Sequence, residues 1–327
     1  MSAETSQESW KALTAEIRPG QRHPQGWYAV ALSDEVVAGR VLGCAFLNGR
    51  VAVYRRSSGE PVVLTSRCPH MGADLALGDV VGDDLRCTYH HFCFGPTGAC
   101  TRVPSEEPIP PAAKVFSYAC AESLGLVWAF NGEVPLFPPP EVRDFAPSAL
   151  VTRARKAHVF SVAPWISVGN SFDFLHLRHV HRLAFAFDPR KIRWLDGHQV
   201  EYEIEFDSPE LGRFEQKIRV SGTNVVSYLT LAATTSIGLF TSTPVGSVAQ
   251  SYCVAAVPKD ADLAPGELER RLREQEALMD ALLVDDARTL TGIRFKVGTL
   301  LKEDRAMARF LRWVSEFPTA DPAAAFE

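Results

Sequence analysis

The sequence predicts an α+β protein in two parts, a small N-terminal β-sandwich followed by a module in which a curved antiparallel sheet packs on helices. Three observations predict it. Short apolar runs broken by glycine-containing turns succeed one another from Trp27 to Phe130. The stretch Val134-Pro135-Leu136-Phe137-Pro138-Pro139-Pro140 is a stiff linker that marks a boundary. Beyond it, alternating apolar and polar residues give way after Pro258 to two long helical patterns.

These observations divide the chain into residues 1–24, 25–138 and 139–327. The first segment is polar, with a short amphipathic helix placing Trp10, Leu13 and Ile17 on one face. Strands in the second are predicted at Trp27–Leu32, Val41–Leu47, Val51–Arg55, Val62–Thr65, Asp84–Arg86, Lys114–Cys120 and Leu126–Phe130. In the third, a strand at Leu150–Phe160 precedes a helical stretch, Trp165–His181. Strands follow at Gln199–Phe206, Phe214–Val220, Val225–Ala232, Gly238–Thr243 and Ser251–Val257, then helices at Gly266–Arg288 and Thr299–Phe317.

With 327 residues, 46% hydrophobic and 22% charged, the composition is that of a globular protein with a large core. A net charge of -5 gives no reason to expect nucleic acid or an anionic membrane as partner. No apolar run has the length of a membrane span, and Met1-Ser2-Ala3-Glu4-Thr5 lacks the basic and apolar regions of a secretory signal, so a cytoplasmic location is expected. Cysteines are seven; Cys44, Cys93, Cys100, Cys120 and Cys253 read as small buried thiols in a reducing compartment.

The two remaining cysteines carry chemistry. Cys68-Pro69-His70 and Cys87-Thr88-Tyr89-His90 form the pattern Cys-x-His-x16-Cys-x2-His. Zinc accepts two thiolates and two imidazoles, but its usual pairings put Cys with Cys and His with His. Here each half supplies one sulfur and one nitrogen. That suits a [2Fe-2S] centre of the Rieske type, with Cys68 and Cys87 on one iron and His70 and His90 on the other. Neutral nitrogen donors raise the potential, so the centre accepts electrons from a low-potential ferredoxin and passes them on.

A second constellation lies in Asn170-Ser171-Phe172-Asp173-Phe174-Leu175-His176-Leu177-Arg178-His179-Val180-His181. On a slightly irregular helix His176 and His181 both point inward. Two imidazoles and one distant carboxylate make the facial triad of non-haem Fe(II) oxygenases, which leaves positions open for O2.

Together these residues resemble the terminal oxygenase component of the Rieske non-haem iron oxygenases. The likeness runs from Gly26-Trp27-Tyr28-Ala29-Val30-Ala31-Leu32 through both cysteine–histidine halves to Asn170-x-x-Asp173-x-x-His176-x4-His181, and its form is closest to the monooxygenase and demethylase branch, such as vanillate and dicamba demethylases. One departure is His91, where the family usually has glycine after the second cluster histidine. The resemblance implies a helix-grip catalytic domain around mononuclear Fe(II) and a homotrimer. It also implies a flavin/ferredoxin-type reductase that delivers electrons from NAD(P)H. It implies further that Asp173 bridges His176 to His90 of the neighbouring subunit, and that Asn170 shapes the iron site.

The third iron ligand has rival candidates. Glu303 and Asp304 both flank the apolar face Leu300, Met307, Leu311 and Val314, and Asp286 shares a face with Met279, Leu282, Leu283 and Leu290. The residues alone leave the choice open; the resemblance implies Asp304. The expected reaction is O2-dependent monooxygenation, by C–H hydroxylation or oxidative demethylation, of a small aromatic or polycyclic molecule. Aromatic cis-dihydroxylation is the alternative reaction, and an electron carrier without oxygenase activity is the alternative class. Phe185, Phe187, Leu239, Phe240 and Phe295 are candidate pocket lining, and no charged residue there announces an ionic substrate.

Overall fold

A computed structural model describes residues 13–105, 107–208, 212–259, 264 and 266–326. Trp10 and the start of the predicted first helix lie outside them. Leu13–Ile17 is not helical, and Ala15 and Ile17 are buried. The chain forms two compact units. One holds Arg18–Pro139, Thr243–Gly246 and Thr319 onward; the other holds Pro140–Ser242, Ser247–Pro318 and the residues up to Ile17.

In the front unit, strands Leu42–Phe46, Gly49–Arg55, Pro61–Thr65 and Ser117–Tyr118 make an antiparallel sheet. Its middle strands read as unbroken apolar runs because both faces are covered. Val51, Val53 and Val63 enter a core with Tyr28, Val127 and Ala129, from the antiparallel sheet of Gly26–Leu32, Cys120–Ser123 and Leu126–Asn131. The alternate residues Ala52, Tyr54, Val62 and Leu64 enter a second core with Leu75, Leu85 and Phe94. That second core belongs to a sheet of Asp79–Val81, Asp84–Arg86, Cys93–Phe94 and Cys100–Arg102, whose short strands are mostly absent from the sequence expectation. The predicted strand Lys114–Cys120 is two pieces, Ser117–Tyr118 and Cys120–Ser123, which pair in different sheets.

The rear unit is built on a seven-stranded sheet in the order Leu150–Phe160, Val248–Pro258, Thr235–Val245, Val225–Leu231, Gly212–Ser221, Gln199–Ser208, Arg193–Leu195. Among the described residues four helices complete it: α1 Pro164–Gly169, α2 Phe174–His179, α3 Glu267–Leu290 and α4 Arg305–Glu316. Helix α3 lies across Leu150–Phe160 and Val248–Pro258 with Leu272, Gln275, Met279, Leu283 and Leu290 buried. Arg153 ties strand to helix through Glu269 at 2.6 Å and Glu276 at 2.9 Å. Helix α4 buries Phe310, whose ring stacks on Phe172 at 4.5 Å. Gly169 permits that approach, since a Cβ there would stand 3.2 Å from the Phe310 ring.

The expected continuous helix Trp165–His181 is instead three pieces, α1, a 3-10 turn Asn170–Phe172 and α2. The break has a local cause. Asp173 leaves helical geometry at φ -90°, ψ 87°, and its Oδ1 accepts the His176 N–H at 2.9 Å as the cap of α2. Residue 181 therefore lies beyond the helix end.

Candidate active site

The two cysteine–histidine halves adopt one loop form twice. In the first, Cys68 N–H donates to Ala73 O at 2.9 Å and Gly72 N–H returns to Cys68 O at 2.8 Å. In the second, Cys87 N–H donates to Phe92 O at 2.8 Å and His91 N–H returns to Cys87 O at 3.0 Å. Equivalent positions are left-handed, Gly72 at φ 73° and His91 at φ 58°. The residue that departs from the glycine of the resembled family thus keeps the loop but takes a conformation that favours glycine. Its side chain is exposed rather than packed.

Both thiols are buried, Cys68 at 3% and Cys87 at 1% exposure, in the second front core. Burial pushes the Cys68 thiol up to about 11, although the His70 and Met71 amides favour its thiolate. The rings of His70 and His90 lie 4.6 Å apart, and His70 stacks on Phe92 at 4.7 Å. Two sheltered sulfurs beside two converging imidazoles fit a Rieske cluster by donor type. Cys93 is a buried free thiol, with the Arg102 guanidinium 3.3 Å from its sulfur.

In the rear unit His176, His181 and Asp286 bring one ligand atom each within 4.8 Å of the others. Nε2 of His176 stands 3.0 Å from Nε2 of His181, and Asp286 Oδ1 lies 3.0 Å and 3.3 Å from the two. Burial opposes ionisation of Asp286, but hydrogen bonds from both histidines outweigh it and hold the carboxyl below its ordinary range. Two nitrogens and one oxygen facing a common point are the donor set of the facial triad, and a cation suits them.

Asp304 is not in this group, which corrects the expectation drawn from the resemblance. It precedes α4, and its Oδ2 accepts the Leu301 N–H at 2.7 Å. Glu303 pairs with Arg178 at 2.6 Å near the surface. The helical face that Asp286 shares with Met279 and Leu283 points it at the histidines. Asn170 is close by, its Nδ2 donating to Asp286 Oδ1 at 3.1 Å. Asp173 caps α2 through the His176 amide, and His179 is exposed.

His181 and Asp286 also line a cavity of about 130 Å³. A single water needs at least about 10–15 Å³ on this scale, so the space has room for several. Phe160, Ile218, Phe240, Met279 and Leu283 form much of its apolar wall. Of the five residues expected as lining, Phe240 faces the cavity. Phe185 and Phe187 pack on Phe174 at 5.6 Å and 5.1 Å, Phe295 packs on Trp165 at 4.8 Å, and Leu239 is core. The cavity draws on α3 and the sheet but not on α4. Sequence reasoning missed Gln275, although its place on the Met279–Asp286 face marks it.

Comparison with known proteins bears on the whole arrangement. Residues 26–119 match the family described as Rieske [2Fe-2S] domain. The chain is 34% identical over 164 residues to the toluene-4-sulfonate monooxygenase system iron-sulfur subunit of Comamonas testosteroni, covering 50% of this chain and 47% of that protein. It is 34% identical over 121 residues to the oxygenase component of 3-ketosteroid-9-alpha-monooxygenase of Rhodococcus rhodochrous, covering 37% and 32%. The match spans less than half the length of these relatives. The fold resembles NdmA of Pseudomonas putida CBB5 solved with caffeine, with TM-score 0.70, 21% identity and 89% of each chain covered. It also resembles dicamba monooxygenase bound to dicamba, with TM-score 0.66, 22% identity and 89% and 96% covered.

The chain carries a Rieske [2Fe-2S] domain. No helix among the described residues is long and apolar enough to cross a membrane.

Proposed function

We propose that this protein is the oxygenase component of a Rieske monooxygenase system, acting by hydroxylation or oxidative demethylation on a small organic substrate. The observation that carries the reading is the convergence of His176, His181 and Asp286 at the wall of an apolar cavity. In this reading those three side chains hold mononuclear iron, and Cys68, Cys87, His70 and His90 hold the [2Fe-2S] cluster. Iron bound there supplies the O2 chemistry, and the cluster supplies electrons drawn from NAD(P)H through a separate flavin or ferredoxin-type reductase.

The chain's own residues have distinct tasks. Asn170 restrains the Asp286 carboxylate by its hydrogen bond. The apolar wall excludes water and presses a substrate toward the open side of the iron ligands. Asp173 spends Oδ1 on the His176 amide. We assign its Oδ2 to the electron route from a neighbouring subunit's cluster, which requires a homotrimer in a reducing, cytoplasmic setting. The names of the two relatives, both monooxygenase components, support this branch.

Reconstitution with a reductase, O2 and candidate substrates tests the proposal by product mass. A gain of 16 signals hydroxylation and a loss of 14 demethylation. A loss of 2 would favour desaturation, as in the cholesterol 7-desaturase of Xenopus laevis, to which the chain is 34% identical over 164 residues. His176→Ala should abolish product while keeping the Rieske absorption; product retained in that variant would refute the iron assignment.

A further inference from the structure

Gln275 is 6% exposed and lines the cavity, and its side-chain amide makes no hydrogen bond to any described residue. Its amide atoms open onto the cavity, so water or a ligand there must satisfy them. Some polar groups of the wall are already paired, while, among the described residues, Ser167 Oγ and His181 Nδ1 are not. Gln216 Nε2 donates to Thr230 Oγ1 at 3.1 Å, and the Ser171 and Tyr228 hydroxyls lie 2.8 Å apart. Gly238 leaves room beside the amide, since a Cβ there would stand 3.1 Å from Gln275 Nε2.

Position adds a length scale. Gln275 and Asp286 lie on one face of α3, about three turns and roughly 16 Å apart along the helix. Between them the wall is Leu278, Met279, Leu282 and Leu283. Among the described residues no lysine or arginine lines the cavity, and Asp286 is the one acidic side chain there. An anion would lose its hydration without gaining a counter-charge.

We propose that Gln275 is a substrate-recognition residue. It reads an elongated, uncharged, largely apolar molecule with one polar end, a carbonyl or hydroxyl, that hydrogen-bonds the amide while the opposite end lies at His176, His181 and Asp286. The assignment of the reacting end rests on the oxygenase reading above; the binding at Gln275 does not.

The test is equilibrium binding to the full-length, metal-loaded protein, using 4-acetylbiphenyl, biphenyl-4-carboxylate and biphenyl. The ketone should bind at least tenfold more tightly than the carboxylate. Gln275→Met, which keeps the shape and removes the polar atoms, should weaken the ketone about tenfold and leave biphenyl unchanged. Gly238→Ala, crowding the same amide, should also weaken the ketone, and provides a second route if the first variant folds poorly. Equal binding of ketone and carboxylate, no binding of the ketone, or a ketone affinity indifferent to both variants would overturn the proposal. Amide-dependent binding with no turnover under reductase would instead refute the oxygenase reading and leave the recognition role standing.

Discussion

The side-chain amide of Asn170 donates to Oδ1 of Asp286 at 3.1 Å, and that same oxygen faces both His176 and His181. One carboxylate oxygen, carried on α3, is thus held by three side chains from a segment more than a hundred residues earlier. The amide donor limits rotation of the carboxylate whether or not a cation is present.

Asp286→Ala should lower iron from about three to about two per chain while the Rieske absorption persists. Asp304→Ala should keep all three irons and lose only the hydrogen bond from the Leu301 amide, about 1 kcal/mol of stability. Metal analysis beside the visible spectrum checks both, and loss of the third iron in the Asp304 variant alone would reverse the ligand assignment.

Asn170→Ala should weaken mononuclear iron about 10- to 100-fold, the usual scale for removing a group that orients a ligand. Competition with a chelator measures it. An unchanged iron affinity would reduce Asn170 to a packing residue.

The left-handed backbone at His91 gives a stability prediction. His91→Gly and His91→Ala both delete the imidazole, but only glycine relieves a φ of 58°. The glycine variant should be the more stable of the two by about 1 kcal/mol. Chemical denaturation of the cluster-loaded protein reads the difference, and equal stabilities would show that the loop bears no strain there.

The Arg55–Glu122 fork sets a pH dependence in the front unit. Arg55 reaches the two Glu122 oxygens at 2.8 Å and 2.7 Å and spends other donors on Val36 and Ser33 carbonyls. Its hydrogen bonds hold the Glu122 carboxyl below the ordinary 4.5. A depressed folded value means stability present above the unfolded value and lost as pH falls through the folded one. Melting temperatures of the natural protein and Glu122→Gln should differ at pH 7 by the equivalent of about 1 kcal/mol. The gap should close as pH drops below 4.5. A gap independent of pH would point to packing instead of charge.

Much of this architecture is legible in the residues because its signals are local. Strands such as Leu150–Phe160 and helix α3 declare themselves by period, and the cysteine–histidine spacing names its own chemistry. Asp286 was also legible, since a carboxylate on the Met279–Leu283 stripe needs a partner inside. The preference for Asp304 rests on likeness, and the competing physics is a local turn in which its carboxylate accepts the Leu301 N–H. The break at Asp173 escaped detection because one residue's backbone turn leaves no periodic trace. The short strand Cys93–Phe94 escaped because two residues are too few to alternate.

The front unit is assembled from three separated stretches, and its last one is not an appendage. Ala323 sits in a core with Tyr28 and Val127, and Asn131 Nδ2 reaches the Ala320 carbonyl at 3.2 Å. Grafting the front unit by splicing at the proline run alone would leave a recipient without its closing piece. A workable chimaera must exchange Thr243–Gly246 and the stretch from Thr319 onward together with Arg18–Pro139.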